Sequence, residues 1–204
     1  MSLTFWTKTR TWYLSLALGF VLAFALTAAG FSDFSRTCGA IRADTLRLHI
    51  VAASDSVADQ TLKLQVRNAI VAAAGRICAA APDQESAKAA LRQNLPLLVH
   101  TAQYAMAQRG RPQQATAQIE HSYFATAHYG DDTLPAGQYD AVRIRLGAGK
   151  GHNWWCCLYP ALCLSASGAH YEKPAEDAIV TGDYEIRFAC VEWWEQQKQK
   201  SAKA

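Results

Sequence analysis

The chain has 204 residues, of which 50% are apolar, 18% charged and 10% aromatic. This composition excludes wholesale disorder, and 12 Gly with 6 Pro exclude collagen-like or low-complexity architecture. The formal charge of +3 belongs largely to one end: residues 1–31 carry Lys8 and Arg10 and no acid, so the rest drops by two to +1. A nearly neutral body lacks the electrostatic footprint of a nucleic-acid binder.

From Trp12 to Phe31 there is no charged residue. As a helix, a stretch of about 20 residues rises about 30 Å, the thickness of a bilayer's hydrocarbon core. Lys8 and Arg10 before it and Asp33 after it favour N-in, C-out insertion. Residues 1–31 therefore read as a signal peptide, with small residues at Thr27-Ala28-Ala29 near the expected cut, or as a retained single-span membrane anchor. Either reading exports the remainder of the chain to a compartment in which disulfides are permitted. Residues 32–43 read as a linker, 44–195 as the folded domain and 196–204 as a frayed polar tail.

The domain opens with Leu46, Leu48 and Ile50 alternating against Arg47 and His49, the pattern of a strand. Ser56 is placed as an N-cap, with Asp59 three residues on, and Leu62, Val66, Ala69, Ile70, Ala73 and Ile77 then recur at helical spacing. Lys63 and Arg67 form a like-charged i, i+4 pair, which needs either a solvated face or a partner. A second helical pattern starts at Pro82-Asp83 and carries Leu91, Leu95, Leu98, Ala102 and Met106; Pro96 should bend or interrupt it. Arg109-Gly110 ends it. Alternation over 115–123 and again at Val142, Ile144 and Leu146 predicts two antiparallel strands, and Tyr184–Trp194 reads as a last strand. The expected fold is α+β: a small mixed or antiparallel sheet with two long helices on one face, preceded by the N-terminal hydrophobic helix.

The stretch Gly147–Leu164 holds the unusual chemistry. Gly147-Ala148-Gly149-Lys150-Gly151 is not a phosphate loop, because Ile144 stands where the first glycine belongs and Gly151 where Ser or Thr should follow the lysine. His152, Cys156, Cys157 and Cys163 lie close together without zinc-ligand spacing, so no metal or other cofactor is expected. A disulfide between Cys156 and Cys163 would close a short loop, contributing about 2.5 kcal/mol through chain entropy; the alternative is two buried thiols packed beside the tryptophans. A cysteine nucleophile, Cys156 or Cys157 with His152 as base and Asp55 or Asp140 as orienting acid, is the enzymatic alternative: an exported hydrolase acting on peptide or cell-wall substrates.

Three segments resemble the stage II sporulation protein R family: Leu46–Ser56 with Asp59-Gln60 and Leu62-Lys63; Tyr139–Val142 with Gly151–Cys156 and Tyr159–Cys163; and Tyr184–Phe188 with Val191–Trp193. The resemblance implies a non-enzymatic sporulation signal, exported into the space between forespore and mother-cell membranes, either secreted or anchored. It implies as partner a membrane-embedded aspartic peptidase that cleaves the sigma-E precursor. Partner binding is expected at Ser54, Asp55, Ser56 and Asp59 together with His152, Asn153, Trp154, Trp155 and Pro160. Cys157 departs from the family pattern, standing where an aliphatic residue is expected and able to compete with Cys156 for Cys163. Cys38, Cys78 and Cys190 fall outside the pattern, and residues 165–183 form only a short link.

Overall fold

The computed structural model describes residues 3–129, 132–160, 171, 173–182 and 184–202. Its architecture is α+β, with a four-stranded mixed sheet in the order β2-β5-β1-β6 at the centre. Strand β1 (Leu46–Val51) pairs in parallel with β5 (Gly137–Leu146) and antiparallel with β6 (Asn153–Tyr159); β2 (Ala115–Phe124) pairs antiparallel with the far edge of β5. The expected pairing of the 115–123 and 142–146 strands is thus present, while β6 arises inside the stretch in which no strand is expected.

On one face the sheet is covered by α2 (Val57–Cys78), α3 (Gln84–Gln93) and α4 (Leu95–Ala107). Leu46, Leu48 and Ile50 of β1 and Val142, Ile144 and Leu146 of β5 meet Leu62, Val66 and Ile70 of α2 and Leu98, Ala102 and Met106 of α4. The apolar periodicities of these segments are therefore the core face. The Ser56 hydroxyl caps α2 by accepting from the Asp59 amide at 3.2 Å. The second helical pattern is two helices: the chain breaks at Asn94, and Pro96 falls in the first turn of α4, where its missing donor does no harm.

The second face of the sheet is also covered, and the sequence pattern does not reveal by what. Helix α1 runs unbroken over Leu3–Ala43. Residues 32–43, expected as a linker, are its last three turns; Phe34, Cys38 and Ile41 recur at helical spacing and are buried against Leu134, Cys157, Tyr171 and the helices α5 (Pro174–Val180) and α6 (Glu185–Ala202). A small hairpin, β3 (Ala127–Tyr129) with β4 (Asp132–Leu134), joins this layer. The expected strand at Tyr184–Trp194 is instead the start of α6. Its alternation lasts only over Tyr184, Ile186 and Phe188, a run too short to separate the two periods. The segment contains no Gly or Pro, and it buries Phe188 and Val191 three residues apart. The polar tail continues this helix through Ala202.

Because both faces are covered, β1 buries Arg47 and His49 along with its apolar residues. The Arg47 guanidinium lies 4.2 Å from the Phe124 ring centroid and 5.0 Å from that of Tyr139, and it donates to the Tyr129 hydroxyl at 2.6 Å. Upstream of this layer, Trp12 to Leu26 present only exposed side chains, and α1 is long and apolar enough to cross a membrane.

Ile144, fully buried between β1 and the helices, is the natural test of this core. Ile144→Ala should cost about 2–5 kcal/mol. The expected readout is a lower urea midpoint at unchanged slope for the detergent-solubilised full chain.

Candidate functional site

Strands β1 and β5 run parallel, so their carboxyl ends lie together at one end of the sheet, the position where ligand sites form in open sheets with parallel strands. Two loops meet there. One leads from β1 into α2 through Ser54, Asp55 and Ser56; the other returns from β5 to β6 through Gly147–His152. Gly147 and Gly149 sit at positive φ, +53° and +60°, and give the second loop its tight turn. Gly151 is required for a different reason: a Cβ there would lie 2.2 Å from the Ser54 carbonyl oxygen. Its amide instead donates to the Ala52 carbonyl at 2.9 Å, closing the two loops on each other.

The side chains complete this junction. Asp55 accepts from the His152 amide at 2.6 Å through Oδ1, and the same oxygen pairs with His152 Nδ1. Both side chains face solvent, with 55% and 79% of their surface exposed. Gln60 donates to the Ser54 carbonyl at 2.9 Å. Lys63, nearly buried in α2, donates to the His152 carbonyl at 2.9 Å and to that of Asn153 at 3.4 Å. Burial pulls its pKa down and Asp55 opposes the shift. This is the partner that the Lys63–Arg67 pair requires; Arg67 itself lies 5.2 Å from the Trp154 ring centroid.

Beneath the exposed pair, His49 donates through Nε2 to the Asn153 side-chain oxygen at 2.8 Å and stacks on Trp155 at 3.8 Å between centroids, which leaves Trp155 37% exposed. Burial holds His49 below its usual pKa; the Asn153 bond and Glu120 pull upward, and Arg143 and Arg145 pull further down. Asp59 sits behind Ser54, accepting from its hydroxyl at 2.6 Å and from Arg111 at 3.0 Å. The Ser54 bond is the largest reason its carboxyl stays below the ordinary range.

The structure thus brings Ser54, Asp55, Ser56, Asp59, His152, Asn153, Trp154 and Trp155 to one end of the sheet. Pro160 is not among them: it follows β6 at its opposite end, beside Tyr159, Lys173 and Gln84. Cys156 is buried on the helix-covered face, and Cys163 lies outside the described residues. Lys63, Gln60, His49 and Gly151 are structural partners that pattern reading does not single out as site residues; the one available signal is that Lys63 needs a counter-group. The residues of the hydrolase reading differ in their surroundings: Cys156 and Cys157 are buried, whereas the His152 side chain faces solvent. Cys157 is buried on the other face and donates to the Tyr159 and Pro160 carbonyls, while Asp140 pairs with Lys88 and His121. Among the described residues, no group of three His, Cys, Asp or Glu side chains is placed to hold a metal ion. The arrangement is suited to recognition: a rigid surface with an exposed carboxylate, imidazole and indole edge.

The stage II sporulation protein R family model matches residues 42–168, more than half of the sequence, and the chain belongs to that family. It is similar to the stage II sporulation protein R of Bacillus subtilis (strain 168), with 37% identity over 133 residues, 65% of this chain and 59% of that protein. The chain therefore spans about 59% of the length of that relative. No solved structure matches it. Both loops of the site lie inside the matched region, whereas α5, α6 and the third resembling segment lie beyond it.

Two substitutions test the junction. Gly151→Ala should drive the loops apart and cost about 1–3 kcal/mol, seen as a lowered melting temperature. His49 is buried neutral, so the unfolded chain takes up a proton at the ordinary histidine pKa while the folded chain resists until lower pH. Its contribution is complete above about pH 6.5 and is lost as pH falls toward the depressed value. His49→Gln should flatten urea stability between neutral and mildly acidic pH. The further loss under strongly acidic conditions, where Asp59 protonates, should remain.

Proposed function

We propose that this chain is an exported sporulation signalling protein, acting in the extracytoplasmic space between forespore and mother-cell membranes. In this reading it activates a membrane-embedded aspartic peptidase that processes the sigma-E precursor. The observation that carries the proposal is the locked pair of loops, in which Asp55 holds both the amide and the imidazole of His152 beside Trp155 within the family-matched region. An activator of this kind must bind the active arrangement of its target better than the inactive one; each 1.4 kcal/mol of preference shifts that equilibrium about tenfold. A fixed surface serves this purpose because little conformational freedom is lost on docking.

The apolar run of α1 supports export, either as a cleaved signal or as an anchor. A disulfide between Cys156 and Cys163 belongs to the same proposal, supported by the oxidising compartment that export implies. In an exported protein this bridge would brace the end of β6 away from the site.

The test is co-expression with the peptidase and its precursor, scored for precursor cleavage. Processing should require this chain, and Trp155→Ala should abolish it while leaving a cooperative melting transition. Normal cleavage by that folded variant would remove Trp155 from the docking surface. Cleavage that proceeds without the chain would overturn the function.

A further inference from the structure

The outer side of α6 is apolar and exposed. Phe188 and Val191 face the core, while Ile186, Cys190 and Trp193 recur at i, i+4 and i+7 on the opposite side with Trp194 next to them. Ile186 is 81% exposed, Trp193 60% and Trp194 51%. These side chains line a shallow apolar groove together with Ala189 and one residue from elsewhere, Phe31.

Phe31 fixes the location of this groove. It closes the apolar stretch that begins at Trp12, and polar chain begins directly after it with Ser32 and the exposed Asp33–Arg36 ion pair, 3.2 Å apart. The groove therefore sits at the level where the apolar run of α1 gives way to water. A bilayer spanned by α1 ends at this level, and tryptophans are enriched there because an indole combines an apolar body with one polar N–H. Charged groups flank the stripe as such a position requires: Lys198 lies 5.8 Å from the Trp194 ring centroid, and Arg187 is exposed over Phe34 at 5.6 Å.

We propose that α6 is a membrane-surface helix, seated through Ile186, Trp193 and Trp194 in the lipid headgroup layer beside the exit point of α1, so that the domain is held against the bilayer at two places. The inference rests on α1 being retained as a membrane span, and the occupant of the groove is lipid. With the second contact the domain cannot swivel about α1, and the Asp55–His152 surface keeps one orientation relative to the membrane.

The test uses the full chain in mixed phosphatidylcholine and phosphatidylglycerol vesicles. Cys190 is exposed, whereas Cys38, Cys78 and Cys157 are buried, so an environment-sensitive fluorophore can be attached at Cys190. Spin-labelled headgroup lipids should reduce its emission to about half, as for a group at the headgroup boundary. A probe at Val57→Cys in a Cys190→Ser background, beside the exposed loop pair, should be unaffected. Trp193→Ala with Trp194→Ala should relieve the quenching at Cys190. A probe at Leu22→Cys, also in the Cys190→Ser background and read with lipids spin-labelled deep in the acyl chain, reports insertion of α1 separately. Quenching at Leu22 with none at Cys190 would overturn the surface helix while leaving the anchor intact. No quenching at either position would overturn both. A Cys190–Cys190 cross-link without lipid quenching would assign the face to a second copy of the chain and overturn the proposal.

Discussion

The structure depends on the complete burial of β1. No residue of this six-residue strand is exposed. Both of its edges are hydrogen-bonded, to β5 and β6, and both of its faces are covered. Such a strand cannot slip by one residue, because a slip would exchange Leu46, Leu48 and Ile50 for Arg47 and His49 and set charge against the α2–α4 core. The polar side chains of the other face are accommodated individually, Arg47 among aromatic rings and His49 between Asn153 and Trp155. Register, and with it the place where the chain leaves β1 to form the Ser54–Ser56 loop, is therefore set by burial.

That fixed exit determines the site. The β1–α2 and β5–β6 loops are held at contact distance because Gly151 has no side chain, and they are tied by backbone, carboxylate and lysine bonds. Lys63 is the most demanding of these. An ammonium group taken out of water needs acceptors, and it finds two main-chain carbonyls together with the Gln60 side chain. The groups left to solvent, Asp55, His152 and the Trp155 edge, are consequently displayed on a stiff support.

Much of this arrangement is legible in the sequence. The first strand, the capped α2, the interruption near Pro96 and the β2–β5 pairing all come from local pattern, since one period or one capping residue specifies each. The missing parts depend on tertiary context. The turns at 32–43 have only Phe34, Cys38 and Ile41 as an apolar stripe, and their burial depends on α5 and α6, which lie more than 130 residues later. The start of α6 alternates for three positions, which fits either period until its full length is seen. Strand β6 is unusual in burying Cys156 and Cys157 toward opposite cores, so it shows neither a solvent face nor an alternation. At the site, the roles of Lys63 and Gly151 depend on groups some ninety residues distant and have no local signature.

The continuity of α1 bears on where the helix could be cut without damage to the domain. Phe34 stands three residues beyond Phe31, and it plugs the second core together with Cys38 and Ile41. Scission immediately after the apolar run would leave a twelve-residue stub, Ser32–Ala43, still seated in that core. Scission only two turns later would pull the plug. Any cut in α1 that spares the fold is thus confined to a window a few residues wide, and the domain cannot be trimmed to the start of its first strand without losing part of its own interior.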